Sequence, residues 1–175
     1  MTDYNALAEL LLPNIDKTPD YYENLYPARN LPEGARVVRV APSPTGYLHL
    51  GTLFAGLVNR ITATSSGGVF FTRIEDTDKK REIEGGIENI IDGFARFGIT
   101  VDEGFYAGCQ QKGEYGPYQQ SQRAEIYQTY AKSLIQQGYA YPCFCTAEEL
   151  DAAREIQEAQ KIRTGYHGEW AKHRD

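Results

Sequence analysis

Apolar residues recur with two different periods along this chain, and their order predicts a strand, a helix and a second strand. A nearly continuous run from Val37 to Ala41 reads as a strand, apolar enough for the centre of a parallel sheet covered on both faces. Leu50, Leu53, Phe54, Leu57, Val58 and Ile61 follow at helical spacing, and Ser65-Ser66-Gly67-Gly68 stops that helix. Val69 to Glu75 is rich in β formers, so a second strand begins at once. A succession of this length predicts a right-handed parallel crossover. Ile83, Ile87, Ile90, Ile91, Phe94 and Phe97 then trace one face of a helix that covers the sheet and ends at Gly98.

The interval from Thr100 to Gln120, with repeated Gly and Tyr and with Pro117, reads as a surface loop. Ser121 is expected to cap a helix whose Ile126, Tyr127, Tyr130 and Leu134 face inward and which stops at Gly138. Tyr139 to Cys145 is expected to add a third short strand to the parallel set. Ahead of all this lies an N-terminal extension, residues 1–36. Leu7, Leu10 and Leu11 predict a short amphipathic helix after Thr2 or Asp3, ended by Pro13. The rest of the extension is expected to be irregular, with Tyr21, Tyr22 and Tyr26 packed along the main domain. Thr146 with Glu149 forms a capping box for a strongly charged helix reaching about Lys161, and the basic stretch 162–175 has little periodic apolar character. The expected organisation is α/β: an extension over 1–36, a parallel-sheet domain over 37–145, and the start of a second domain over 146–175.

Composition narrows the class. With 175 residues, 41% hydrophobic and 24% charged, the chain can bury one core and a small appendage. It shows neither a secretory leader nor an apolar stretch long enough for a bilayer, so a soluble, cytoplasmic protein with no membrane partner is expected. The formal net charge of -6 excludes nucleic-acid binding driven by overall electrostatics and leaves only a local basic patch for such contacts. Cys109, Cys143 and Cys145 are an odd number with one closely spaced pair, which fits a reducing compartment.

Candidate chemistry concentrates between the first strand and its helix, in Arg39-Val40-Ala41-Pro42-Ser43-Pro44-Thr45-Gly46-Tyr47-Leu48-His49-Leu50-Gly51-Thr52. Pro42 and Pro44 stiffen the turn, and Gly51 leaves backbone that a flat ligand can approach. His49 falls at a helix N-terminus, where open amides and the helix dipole favour a phosphate. Glu75-Asp76-Thr77-Asp78 sits at the carboxyl end of the second strand, the end beyond which open parallel sheets bind ligands.

These residues carry a resemblance. Arg39 to Gly46 followed by His49-Leu50-Gly51-Thr52 resembles the HIGH signature region of the glutamyl-tRNA synthetase family. Arg73-Ile74-Glu75-Asp76-Thr77-Asp78 and Gly116-Pro117-Tyr118-Gln119-Gln120-Ser121-Gln122-Arg123 resemble two further blocks of that family, in its order and spacing. The resemblance implies the first half of a Rossmann-like catalytic domain, followed by the start of an inserted domain that holds the tRNA acceptor end. It implies activation of glutamate by ATP with Mg2+ to glutamyl-adenylate, and transfer to the 3' end of tRNA(Glu), by a full-length enzyme expected to be monomeric. By resemblance His49 and Thr52 serve catalysis, Pro42, His49, Gly51 and Thr52 meet ATP, and Arg39, Ala41, Ser43 and Glu75 line the glutamate site. Arg81 is implied to meet the tRNA, while Asp76 and Asp78 are read as helix caps and loop braces.

No lysine loop of the KMSKS type occurs in the chain, so the piece at hand is expected to bind better than it catalyses. Some family members hold zinc with a Cys-x-Cys pair such as Cys143 and Cys145 plus a later cysteine. Here Trp170 stands where that cysteine would be, and only His167 and His173 could fill in, so free thiols and no metal are expected. Two alternatives stay open: a paralogue that attaches glutamate to a modified tRNA base, and a fragment that binds ATP or glutamate without turnover.

Overall fold

The computed structural model describes residues 2–167. The chain divides into two compact units, residues 16–129 and residues 1–15 with 130–175, each taken by itself below.

In the larger unit, β1 (Val37–Val40) pairs in parallel with β2 (Val69–Thr72), with Val37 opposite Val69 and Val40 opposite Thr72. The crossover between them is α3 (Leu50–Ser66), closed by Gly67 in the left-handed region. β1 is not a central strand among the described residues. It pairs only with β2, and Val37 stays exposed. On the other side of β2, two extended pieces continue the sheet through isolated parallel bridges, Phe71 with Glu103 and Ile74 with Gln119. These take the place expected of a strand over Tyr139 to Cys145, which forms none. Pro142 lies in that stretch and removes a ladder donor, and Tyr139 and Phe144 are exposed there.

The helical periods located the helices but not always their buried faces. α3 buries its small side, Gly56 and Ala63, with Leu53 and Ala55 partly covered, whereas Leu50 and Phe54 are 80% and 66% exposed and Leu57, Val58 and Ile61 also face out. The facing residues decide this, since Phe94 comes so near Gly56 that an added Cβ would lie 3.0 Å from its ring. α4 (Gly86–Arg96) turns Ile90, Ile91 and Phe94 into the core as expected, while Phe97 lies past its end and is exposed.

The interval 100–120 is not a surface loop. It contains an antiparallel hairpin, β3 (Gly104–Tyr106) and β4 (Gln110–Lys112), and its Val101, Phe105 and Tyr118 join the core with Val40, Phe70 and Ile74. Gly104 makes this possible. Its φ is +98°, and a Cβ there would stand 2.2 Å from the Thr72 carbonyl oxygen, so only glycine lets the hairpin approach β2.

Residues 16–36 are also more ordered than expected, because Pro19 starts a helix, α2 (Pro19–Leu25), after Thr18. Tyr22 of α2 is buried, and Lys17 pairs with Glu125 at 2.8 Å. Arg29 forms a two-pronged ion pair with Glu103, stacks 3.5 Å from the Tyr115 ring, and shares Glu103 with the Tyr118 hydroxyl, which donates at 2.7 Å. Burial and this carboxylate push Tyr118 up to about 12.

In the smaller unit, α1 (Tyr4–Leu11) is capped by Asp3, which accepts from the amides of Asn5 and Ala6. α5 (Ala124–Gln136) begins in the larger unit and ends in this one. It follows a 3-10 turn over Gln120–Arg123, and it buries Thr129, Lys132 and Ile135 rather than Tyr127, Tyr130 and Leu134. Lys132 donates to Glu9 at 2.9 Å and to the Ile15 carbonyl at 2.8 Å, which ties α1 to α5. α6 (Ala147–Ala159) opens with the capping box, Thr146 and Glu149 exchanging bonds of 2.9 and 3.2 Å. Among the described residues no helix is long and apolar enough to cross a membrane.

Gly104→Ala should lower the unfolding free energy by about 1–3 kcal/mol or more, since it combines a positive φ with a backbone overlap. A urea midpoint unchanged from the parent would show that β3 does not depend on this contact.

Candidate active site

The site begins with two hydrogen bonds beyond the ends of the strands. The Arg73 amide donates to Val40 O at 3.2 Å and the Glu75 amide to Pro42 O at 3.0 Å, so the parallel pairing runs on into the loop. Alternation therefore persists: Val40, Pro42, Pro44, Thr72, Ile74 and Asp76 are buried, whereas Arg39, Ala41, Ser43, Arg73 and Glu75 remain accessible on the other face. The four residues read from the sequence as a glutamate set, Arg39, Ala41, Ser43 and Glu75, share that face.

The loop is then pinned to α4 and to the turn before it. Ile83 N–H donates to Pro44 O at 2.9 Å, and Leu48 N–H to Asn89 Oδ1 at 3.1 Å. This delivers His49 to the start of α3 in an extended conformation, with no bond from its side chain to the helix amides. Its Nε2 lies 3.3 Å from the Thr52 hydroxyl. Gly51 has a defined part here, because a Cβ at that position would stand 3.1 Å from the imidazole. A cleft of about 270 Å³ opens between these elements, lined by Ala41, Pro42, Ser43, Thr45, His49 and Thr52 among others. A helix N-terminus, an imidazole and a hydroxyl on one wall are suited to phosphate oxygens.

The charges on the open face form one group. Arg39 Nη1 is 3.3 Å from Glu75 Oε1, and Arg73 Nη2 is 3.5 Å from the same oxygen. Two cations thus meet one carboxylate. Arg81 lies apart from this group, exposed and paired with Asp78 at 2.6 Å.

Asp76 faces the opposite way. It is 1% exposed and accepts four bonds: from Ser121 N–H at 2.9 Å, Ser121 hydroxyl at 2.6 Å, Gln119 Nε2 at 2.8 Å and Lys79 Nζ at 3.2 Å. Burial would raise its carboxyl, but the donors outweigh that and hold it well below the usual carboxylate range. Ser121, expected as a helix cap, is instead spent on Asp76. Two of the three motif blocks are thereby joined by one buried charge. The sequence reading missed this junction, and it missed Arg73, although both lie inside the motifs it singled out. Arg29 gave no signal at all.

The cysteine pair lies in the smaller unit. Tyr166 donates to Cys143 and draws that thiol down, while burial pushes Cys145 up. His167 turns to the Arg163 carbonyl at 3.0 Å. Two thiols and a phenol are a donor set short of the four a structural zinc needs, and no group of three or more His, Cys, Asp or Glu is placed to hold a metal among the described residues. Trp170 and His173 lie outside the described residues.

Residues 36–174 match the family model for the catalytic domain of class I tRNA synthetases (E and Q). A glutamate–tRNA ligase of Clostridium perfringens is 55% identical over 172 residues, covering 98% of this chain and 32% of that protein. One from Sorangium cellulosum is 48% identical over 171 residues, covering 91% of this chain and 30% of that protein. A crystal structure of a glutamate tRNA ligase from Elizabethkingia meningosepticum in complex with its amino acid superposes with a TM-score of 0.65 at 42% identity, over 78% of this chain and 26% of that one. The chain spans about a third of the length of the curated relatives it matches.

The Asp76 carboxyl sets a pH dependence. Its folded value is depressed from an ordinary 3.8, so its contribution to stability is complete above that value and is lost as pH falls below it. Asp76→Asn should cost about 2–4 kcal/mol at pH 7 and flatten the stability profile below pH ~4. Equal acid sensitivity in parent and variant, by urea unfolding between pH 3 and 7, would assign that sensitivity to other groups.

Proposed function

The chain belongs to the catalytic-domain family of class I tRNA synthetases (E and Q), and on that premise we propose that it is the amino-terminal part of a glutamate–tRNA ligase. In the proposed reaction the α-carboxylate of glutamate attacks the α-phosphorus of ATP, giving glutamyl-adenylate and pyrophosphate. A terminal ribose hydroxyl of tRNA(Glu) then attacks the acyl carbon and releases AMP. Both steps depend on positioning and on stabilising developing charge. The observation that carries this reading is the shared face: Arg39, Ala41, Ser43 and Glu75 stand together beside the helix end that bears His49.

Within that reading Arg39 takes the side-chain carboxylate of glutamate and Glu75 its ammonium, while Ala41 and Ser43 floor the pocket. His49 and the Thr52 hydroxyl donate to ATP phosphates, Pro42 borders the nucleotide, and Gly51 admits both the imidazole and the flat base. Arg81, exposed and free to leave Asp78, meets the tRNA end. Magnesium enters with ATP, since Asp76 is saturated by protein donors. Residues 37–145 serve as the first half of the Rossmann-like domain, after an extension over 1–36, and 146–175 begin the acceptor-binding insertion. The setting proposed is the cytoplasm, and the full-length enzyme is taken as a monomer. Identity to ligases at 55% favours this reading over a base-modifying paralogue.

Residues 1–175 alone should bind without turnover. ATP–pyrophosphate exchange with glutamate and tRNA(Glu) should appear only in a chain extended to the length of the relatives, and robust exchange by the 175-residue chain would refute that requirement. In the extended enzyme His49→Ala should slow exchange by about 10²–10³-fold with little change in thermal midpoint. Unaltered kinetics would remove His49 from the mechanism.

A further inference from the structure

The face that carries Arg39 and Glu75 also carries Arg73, to which no role has been given. Its side chain is 19% exposed, and its Nε is buried without a hydrogen-bond partner among the described residues, while its Nη2 reaches Glu75 Oε1 only at 3.5 Å. A buried guanidinium N–H left unbonded is costly, which favours any arrangement that gives it an acceptor. The Glu75 oxygen that Nη2 reaches is the one that Arg39 also holds, at 3.3 Å. Two cations and one carboxylate mirror an amino dicarboxylate, which brings two carboxylates and one ammonium.

We propose that Arg73 is a positioning residue that takes over Glu75 when Arg39 turns to the side-chain carboxylate of the substrate. In the unliganded chain Arg39 and Arg73 compete for Oε1, and neither contact is short. A substrate carboxylate offers Arg39 a better partner and draws it away. Glu75 then settles on Arg73, whose Nε and Nη2 both donate to the vacated oxygen, and Oε2 stays turned to the substrate ammonium. Without Arg73, Glu75 would lose its only remaining cation among the described residues just as the ammonium must be held. The trigger is therefore the second carboxylate of the ligand, and the exchange rests on the reading of this face as a glutamate site.

The test follows the Arg73 Nε–H by NMR in the 175-residue chain, as its hydrogen-exchange rate with solvent. Arg39→Met imitates the departure of Arg39 without any ligand and removes a partly exposed side chain, and the same spectra report whether the variant is folded. Exchange at Arg73 Nε–H should slow at least tenfold in Arg39→Met, and the slowing should vanish in Arg39→Met/Glu75→Gln. Arg39→Lys serves if Arg39→Met does not fold, with a smaller slowing expected. An unchanged rate in the folded single variant overturns the proposal. Saturating L-glutamate on the parent should reproduce the slowing, and L-glutamine, which lacks the second carboxylate, should not. A glutamine response equal to that of glutamate overturns the trigger. If Arg39→Met slows exchange but glutamate does nothing, the partner exchange stands and the glutamate reading of this face fails.

Discussion

The arrangement depends on a pairing in which the loop after β1 only accepts. Pro42 and Pro44 have no amide hydrogen, yet the carbonyls of Val40, Pro42 and Pro44 receive bonds from Arg73, Glu75 and Ile83. The prolines are therefore compatible with the sheet edge they extend, and their fixed φ lowers the entropy lost when the loop is held. Because the bonds keep β1 and β2 in register past their ends, the pleat continues, and each odd-numbered residue from 39 to 43 stays on the face of Arg73 and Glu75. A slip of β2 by one residue would bury Glu75 and expose Asp76 while Arg39 stayed out, and so would separate the pair.

Asp76 secures that register from behind. A carboxylate so deeply buried is tolerable only with its acceptor sites filled, and Ser121, Gln119 and Lys79 fill them. The next residue toward the site, Glu75, is thereby presented from a backbone fixed on both sides, by Pro42 through its amide and by the Asp76 cluster one step later. Precision at an exposed carboxylate is supplied by an unexposed one.

Much of this was legible in the residues, and what was not had physical causes. The β1–α3–β2 crossover follows from periods long enough to register, and Arg39, Ser43 and Glu75, which share the candidate face, stand in recognisable blocks. The interval from Thr100 to Gln120 misled because its buried residues, Val101, Phe105 and Tyr118, are isolated among glycines and polar groups, so no period shows. Its hairpin depends on Gly104 meeting a carbonyl more than thirty residues away, which no local pattern encodes. Arg29 and Glu103 are similarly distant in sequence. Ser121 carried a helix-capping signal that a tertiary partner, Asp76, overrode.

The outward apolar side of α3 explains where His49 comes to rest. A helix carries both a small-residue stripe and a large-residue stripe here, and the choice between them sets how closely it approaches its neighbours. Gly56 and Ala63 allow a near approach to the sheet and α4, with Phe94 set against the Gly56 backbone. Had Leu50, Phe54 and Leu57 been the buried set, the axis would stand further off. The chain from Pro44 to His49 is anchored at both Pro44 and Leu48 and has no slack to follow such a displacement. The period-based reading selected the larger stripe because it scores hydrophobicity, whereas the fold selects by distance. The same closeness that leaves Leu50 and Phe54 exposed keeps the imidazole over Gly51, on the wall of the cleft rather than behind it.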